Sequence, residues 1–538
     1  MIGHQAGKLR ADADDLLLPL ALQYRQNFTR VKFQKCPFYA QIHRRGHSAG
    51  GERMSKMYLG IDLGTSAVKL CVIDAEGNLI AQGSKDLPIS HPFDGASEQN
   101  CEDWWEATRA CIKALDPALR IAIKAIGLSG QMHGAVVLDA QRKPVRPVIL
   151  WNDARADVEC SDIIAADPSA AQRAGVLPMP GFTAPKILWL SRHEPEAHAK
   201  IRHVMLPKDY IGLCLHGGCV TDPSDAAGTS WFDEAARCWS ARLCELTATE
   251  PAWLPHVLHG TDVAGTLLPD IATDLGLTPD IPVAAGAGDG AAGAVGLGAV
   301  QAGDGFISLG TSGQLFVTTD AYRPNIENRI HAYAHTVPDH WFQMAAMLNG
   351  ARPMAWLADL LNRPIDLLLT EAAEARPGPL FLPYLTGERT PHGDTTIRGG
   401  FANLGEGMSQ GSLMRAVLEA IAFSFADAAE AFAKAGTTPT SLLAIGGGTR
   451  SDLLMQMIAD VTGITLGRSD EAVVGPALGA ARLALVACGD KPMDAVMQRP
   501  TARHWFKPKG AMDHSTQIRL EAYRALYPAL RTVQQKLR

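Results

Sequence analysis

The stretch IDLGTSAVK at residues 61–69 returns 246 positions later as ISLGTSGQL at 307–315. Around the first copy, MYLGID reads as a short apolar strand, GTS as a tight polar turn and AVKLCVID as a second strand rich in β-branched residues. AEGN makes another turn, and a third strand opens at LIAQGSKDL. The second copy repeats the pattern as GFISL, GTSG and QLFVTT. Glycine followed by small hydroxyl residues lets the chain turn sharply and points backbone N–H groups into the loop mouth, where phosphate oxygens fit. Two such hairpins imply two related domains facing one cleft, each lending a turn to it; two unrelated tight turns are the alternative from this feature alone. One difference between the copies is informative: Asp62 precedes the first turn and Ser308 the second. A carboxylate beside a phosphate loop repels the ligand unless a cation lies between them, and Mg²⁺ favours one or two carboxylates plus water and phosphate.

A chain of 538 residues exceeds what one core organises, so two domains are expected. Its 47% apolar and 20% charged content is that of an ordinary soluble globular protein, and a net charge of −6 gives no reason to expect nucleic acid or an anionic membrane as partner. The ten cysteines are scattered. Cys214 and Cys219 are the closest pair, without a matching pair or histidine cluster, so a reduced cytosolic chain is expected rather than a zinc or disulfide site. The most apolar run, residues 281–300, is glycine-rich and carries Asp289 near its middle, which suits strand–turn–helix rather than a membrane span. Residues 1–56 hold ten Lys and Arg against four Asp and Glu, a charge of +6 that leaves −12 on the rest. Only Asp12 to Asn27 suggests a helix there, and Pro19 interrupts it, which cannot build a helix-turn-helix. No secretory-type apolar segment is present, and DADD is foreign to a transit peptide. The segment is expected to be disordered or foreign to the natural protein. Gly51-Glu52-Arg53 can be encoded by a purine run resembling a bacterial ribosome-binding site just ahead of Met57.

Further turns complete the pattern. LLAIGGGTRSDLLMQMIADVTG (442–463) reads as strand, triple-glycine turn and amphipathic helix starting near Ser451; the glycines suit either close approach of a ring or phosphate, or a helix-capping turn. GPALGAARLA (475–484) is read as close helix packing rather than a binding box. AIGLSGQMHGAVVLD (125–139) is strand, turn, strand, with Gln131, Met132 and His133 at the junction; a lone histidine there is equally a surface or satisfied core residue. Gly288 to Gly293 has G-x-G-x-x-G spacing, but no acidic residue follows about twenty positions later, so a dinucleotide site is disfavoured. What remains is Asp289 at a strand-to-helix junction, either a helix N-cap or a carboxylate held in a cleft.

With the further blocks ILWNDAR, MPGFTAPKILWL, LPKDYI, SDAAGTSW and LPYLTGERTPH in the same order, the chain from Met57 nearly to its end resembles the FGGY family of carbohydrate kinases. That resemblance implies an α/β fold of two actin-like ATPase, ribonuclease-H-like domains, residues 57–300 and 301–538, with nucleotide and sugar in the cleft between. It implies that Asp62, Gly64, Thr65 and Ser66 handle phosphates and metal, Asp62 holding Mg²⁺ directly or through water. Gly310, Thr311, Ser312 and Gly313 would hold the other side of ATP, and Gly446, Gly447 and Gly448 would lie at the adenosine. Met132 and His133 map onto the Met-His pair that binds sugar in members acting on D-xylulose, and Asp289 onto the catalytic base beside the sugar. The chain departs from the family in placing Gly290 where an asparagine that contacts sugar is often found. The function implied is ATP-dependent phosphorylation of D-xylulose to D-xylulose 5-phosphate in the cytoplasm, with a homodimer left open. Another ketose or polyol substrate, such as ribulose or a sugar alcohol, is the near alternative. A non-catalytic sensor on the same fold is the far one, disfavoured by the retained Asp289 and both turns.

Overall fold

The computed structural model describes residues 55–468 and 475–537; the expectations for residues 1–54 lie outside them. The first copy of the repeat opens a seven-stranded sheet. β1 (Met57–Leu63) turns through Gly64–Ser66 into antiparallel β2 (Ala67–Asp74), which turns back into antiparallel β3 (Leu79–Asp86). β4 (Ile123–Gly130) joins β1 in parallel, and β6 (Pro282–Ala284) joins β4 in parallel. β5 (Val263–Thr266) forms an antiparallel edge on β6, and the short β7 (Ala287–Gly288) extends the pairing of β4.

The second copy opens another seven-stranded sheet on the same plan. β8 (Gly305–Leu309) pairs antiparallel with β9 (Gly313–Thr319), and β9 antiparallel with β11 (Trp341–Met347), outside which lies β10 (His331–Ala334). β12 (Ser441–Ile445) then joins β8 in parallel and β13 (Thr465–Arg468) joins β12 in parallel, with β14 (His504–Phe506) as the antiparallel edge. β8, β9, β11, β12 and β13 therefore stand where β1, β2, β3, β4 and β6 stand in the first sheet. What LGTS marks twice is a whole sheet repeated.

Period-two alternation along β1 sends Leu59, Ile61 and Leu63 into one core with Trp104, and Tyr58, Gly60 and Asp62 to the opposite face. That opposite face receives two helices built from small residues. α1 (Asp289–Gly296) follows β7 directly, and α2 (Gly475–Ala487) comes from far along the chain. A Cβ on Gly60 would sit 2.0 Å from the Ala477 carbonyl oxygen, and one on Gly127 would sit 1.9 Å from that of Ala480. A Cβ on Gly479 would sit 1.8 Å from the Ala292 carbonyl oxygen. Helix backbone thus lies directly on sheet backbone, which only glycine permits. GPALGAARLA is a packing seam, and the 301–538 span also supplies a helix to the first sheet. Among the described residues, no helix is long and apolar enough to cross a membrane.

Candidate active site

Asp62 is the last residue but one of β1, on the face turned toward α1. It is buried, and its carboxylate accepts a hydrogen bond from Ser129 Oγ on β4 at 3.2 Å. Burial pushes its pKa upward, opposed by the charge of Lys69, its partner on β2, and by the Ser129 bond. In the turn, Gly64 N–H donates to the Ala67 carbonyl at 3.0 Å and Ser66 is exposed. The Thr65 hydroxyl is already engaged, donating to Gln131 Oε1 and accepting from Trp151 Nε1, both at 2.9 Å. Gln99 in turn donates to the Thr65 carbonyl at 2.8 Å and accepts from Gln131 Nε2 at 3.2 Å. Thr65 therefore ties the first turn to the neighbouring QMHG segment, and Ser66 is the turn's exposed hydroxyl.

The second turn is braced differently. Ala351 N–H donates to the Gly310 carbonyl at 2.7 Å and Gly350 N–H to that of Thr311 at 3.1 Å, leaving the Thr311 and Ser312 side chains exposed. The triple-glycine turn lies against it. Gly446 has φ +95°, and a Cβ there would sit 2.7 Å from the Leu309 carbonyl oxygen. Gly446 and Gly447 are exposed while Gly448 is buried, and Ser451 caps the following helix, its hydroxyl accepting from Leu454 N–H at 3.3 Å.

Met132 and His133 come together with Asp289. Met132 packs on Gly288, where a Cβ would sit 2.9 Å from its Cγ, so a side chain before Asp289 would displace Met132. His133 holds φ +72°, a strained conformation for a bulky residue. Its carbonyl is pinned by Lys186 Nζ at 2.9 Å and Thr183 Oγ1 at 3.1 Å, and its ring stacks on Phe182 at 4.4 Å between centroids. Burial drives its pKa down to about 3, so the ring is neutral. Nδ1 faces the Gly228 carbonyl at 2.6 Å, and a carbonyl can only accept, so Nδ1 carries the proton and Nε2 is left as an acceptor.

Asp289 is the first residue of α1; Gly288 is the N-cap, with no side-chain cap bond. The Asp289 carboxylate accepts from Gly290 N–H at 2.8 Å and is open to water inside the cleft. The surrounding protein raises its pKa to about 7, with the charge of Asp62 as a second contribution. A helix cap does not explain the residue. Two cavities meet at Asp289 and Gln314. The smaller, about 330 Å³, is lined by Met132, His133, Trp151, Ser308, Ser312 and Arg389 among others. The larger, about 790 Å³, follows the glycine face of α1 past Gly290 and Gly293 to Gly475 and Arg482. Neither is lined by Gly64–Ser66 or Gly446–Gly448. A Cβ at Gly290 would meet open space, so packing does not exclude a side chain there.

Among the described residues, no three His, Cys, Asp or Glu side chains are grouped as metal ligands. Asp62, a buried carboxylate with Ser129 as its side-chain donor and Asp289 close enough to perturb, fits the sparse donor set that Mg²⁺ shares with water and phosphate.

Sequence reasoning missed the charged residues inside the apolar blocks. Lys208 is fully buried with Asp209 at 2.6 Å, Asp222 at 3.1 Å and Asp225 at 3.4 Å, and Ser224 of the same region donates to Asp222 and accepts from Gly288 N–H at 3.1 Å. That cluster fixes the approach to Asp289. Lys186 and Arg389 were missed likewise; the signal was a charged side chain embedded in an otherwise apolar block.

Two seven-stranded sheets on one plan, each opened by a GTS turn, with a small chamber lined by Asp289, Met132, His133 and Ser312, are the architecture of a sugar kinase. Family comparison agrees: residues 57–296 match the N-terminal domain, and residues 305–488 the C-terminal domain, of the FGGY family of carbohydrate kinases. The chain belongs to that family. It is 41% identical to the xylulose kinase of Escherichia coli K12 over 483 residues, covering 88% of this chain and 99% of that protein. It is 35% identical to the xylulose kinase of Bacillus subtilis 168, covering 81% and 89%. A solved xylulose kinase structure from Brucella ovis superposes with a TM-score of 0.85 at 42% identity, covering 89% of this chain and all of that one.

Proposed function

We propose that the protein transfers the γ-phosphoryl group of ATP to D-xylulose, forming D-xylulose 5-phosphate in the cytoplasm. The observation that carries this reading is the Asp289 carboxylate. It stands where two cavities meet, beside Met132 and His133, with a pKa raised to about 7 where a general base is most effective. The similarity to xylulose kinases supports the choice of sugar.

The sugar lies in the smaller chamber, where His133 Nε2 accepts a hydrogen bond from a sugar hydroxyl and Met132 supplies an apolar wall. Asp289 accepts the proton of the attacking hydroxyl as the sugar oxygen meets the γ-phosphorus in line and the bond to ADP breaks. Gly64–Ser66 and Gly310–Gly313 hold the phosphates from the two lobes, with Gly446–Gly448 at the adenosine. Mg²⁺, when bound, neutralises phosphate charge, and Asp62 is the residue that would hold it. The protein's share is positioning and charge stabilisation, and lobe closure excludes the competing nucleophile, water.

ATP consumption against D-xylulose, D-ribulose, other pentuloses and polyols tests the assignment. The highest kcat/KM is expected with D-xylulose. A better ribulose or polyol substrate overturns the choice of sugar, and no sugar-dependent turnover overturns the reaction.

A further inference from the structure

Arg389 reaches the small chamber from the second lobe, on the segment LPYLTGERTPH (382–392). It shares the chamber with Met132, His133, Asp289 and Ser312. Among the described residues, its guanidinium has neither a hydrogen-bond partner nor a carboxylate within ion-pair distance. Arginines enclosed elsewhere in the molecule are engaged. Arg155 pairs with Asp153 and Glu98, both at 2.7 Å; Arg237 donates to the carbonyls of His340 and His335; Arg482 donates to those of Val295 and Gln498.

The adjacent Glu388 does not supply the missing partner. Its Oε1 accepts from the backbone N–H groups of Leu348 at 2.6 Å and Arg389 at 2.7 Å, and its Oε2 accepts from Asn349 Nδ2 at 3.2 Å. Burial keeps His133 and His331 neutral, so they set no like charge beside the guanidinium and their rings leave it to an anionic ligand. Glu388 lends the guanidinium charge without a hydrogen bond, so its donors face the chamber free for a ligand. A guanidinium is a rigid donor fork matched to the paired oxygens of phosphate, and a neutral sugar would leave its charge uncompensated.

We propose that Arg389 binds the phosphoryl group in transit, donating to its oxygens as it passes from ATP to the sugar and holding the phosphate of the product. This rests on the kinase reading above. The P–O bond to the sugar forms as the P–O bond to ADP breaks, ADP keeps the electron pair, Asp289 takes the hydroxyl proton, and Arg389 stays protonated throughout. The second turn, whose Ser312 and Gly313 line the same chamber, approaches the same group.

The test compares wild type with Arg389→Gln and Arg389→Lys, measuring kcat and KM with ATP and D-xylulose, and Kd for D-xylulose and for D-xylulose 5-phosphate by calorimetry. Removing one preorganised donor to a transition state costs about 10²–10³ in kcat, so Arg389→Gln should lose that much. Its Kd for D-xylulose 5-phosphate should rise by at least about tenfold, since charge-assisted bonds are the strong ones, while Kd for D-xylulose holds. Arg389→Lys should recover part of both losses and serves as the folded variant if the glutamine form melts early. Equal weakening of sugar and sugar phosphate would make Arg389 a sugar-hydroxyl ligand and overturn the proposal, as would an unchanged kcat with unchanged product affinity. If wild type turns over a different sugar, the sugar assignment fails separately, and the same comparison with that sugar and its phosphate still decides the role of Arg389.

Discussion

Asp289→Asn tests the proposed chemistry most directly, because asparagine keeps the geometry and loses the base. The amide oxygen can still accept from Gly290 N–H, and Gly288 rather than residue 289 caps the helix, so local structure is retained. Loss of a general base costs about 10²–10⁴ in kcat, or about 2.7–5.4 kcal/mol of transition-state stabilisation at 1.36 kcal/mol per tenfold. In wild type a base with a pKa of about 7 makes kcat/KM fall as pH drops below 7, toward about tenfold per unit, as the carboxylate protonates. The variant's residual rate should lack that slope. Stability moves the other way. The folded pKa lies above the ordinary aspartate value, so the fold disfavours the ionised form, and this penalty grows as pH rises from about 4 to about 7. The variant should match wild type in melting temperature near pH 4 and equal or exceed it at pH 8. Coupled ADP release with D-xylulose between pH 5.5 and 8.5, with thermal melts at both extremes, reads both arms. More than about a tenth of wild-type kcat retained at pH 8, outside the range for loss of a base, would refute the assignment.

Three further outcomes follow from the same geometry. His133→Ala, which removes the Nε2 acceptor, should raise KM for D-xylulose about five- to a hundred-fold, the worth of one buried polar contact, while KM for ATP stays nearly constant; equal changes in both would mean a damaged first lobe. Ser308→Ala should keep far more activity than Asp62→Ala, because Ser308 carries no charge to meet a metal-bound phosphate, and steady-state kcat compares the two. Gly479→Ala forces a Cβ to 1.8 Å from the Ala292 carbonyl oxygen and should cost at least about 1–3 kcal/mol in urea unfolding, whereas Gly293→Ala meets open space and should be neutral or better.

The repeated sheet was legible because apolar runs of strand length flank both GTS turns, and local pattern decides strands of that kind. The strand–helix junction at Asp289 was legible for a similar reason, since glycine and alanine crowd the backbone on both sides of a single charge. The direction of the Thr65 hydroxyl was not, because it is fixed by Gln131 and Trp151, residues 66 and 86 positions away. Nor was Arg389: a neighbouring glutamate suggests an ion pair, and only the folded backbone shows that amides claim the carboxylate first. The cluster around Lys208 gathers Asp222 and Asp225 from a separate block, a meeting set by tertiary packing.

The seam between α2 and the first sheet makes the two lobes one folding unit. A chain ended at residue 300 would leave Gly60 and Gly127 facing an empty groove where the backbone of Ala477 and Ala480 belongs, with no side chain to fill it. The complementary fragment would carry a helix of small residues stripped of its contact with Ala292. The lobes should therefore refuse separation by dissection and melt in a single calorimetric transition, while fragments co-expressed from a cut near 300 can find each other through that seam. A cleft that closes on its substrates is expected to do so without parting this seam, because separating backbones packed this closely would strip both surfaces at once.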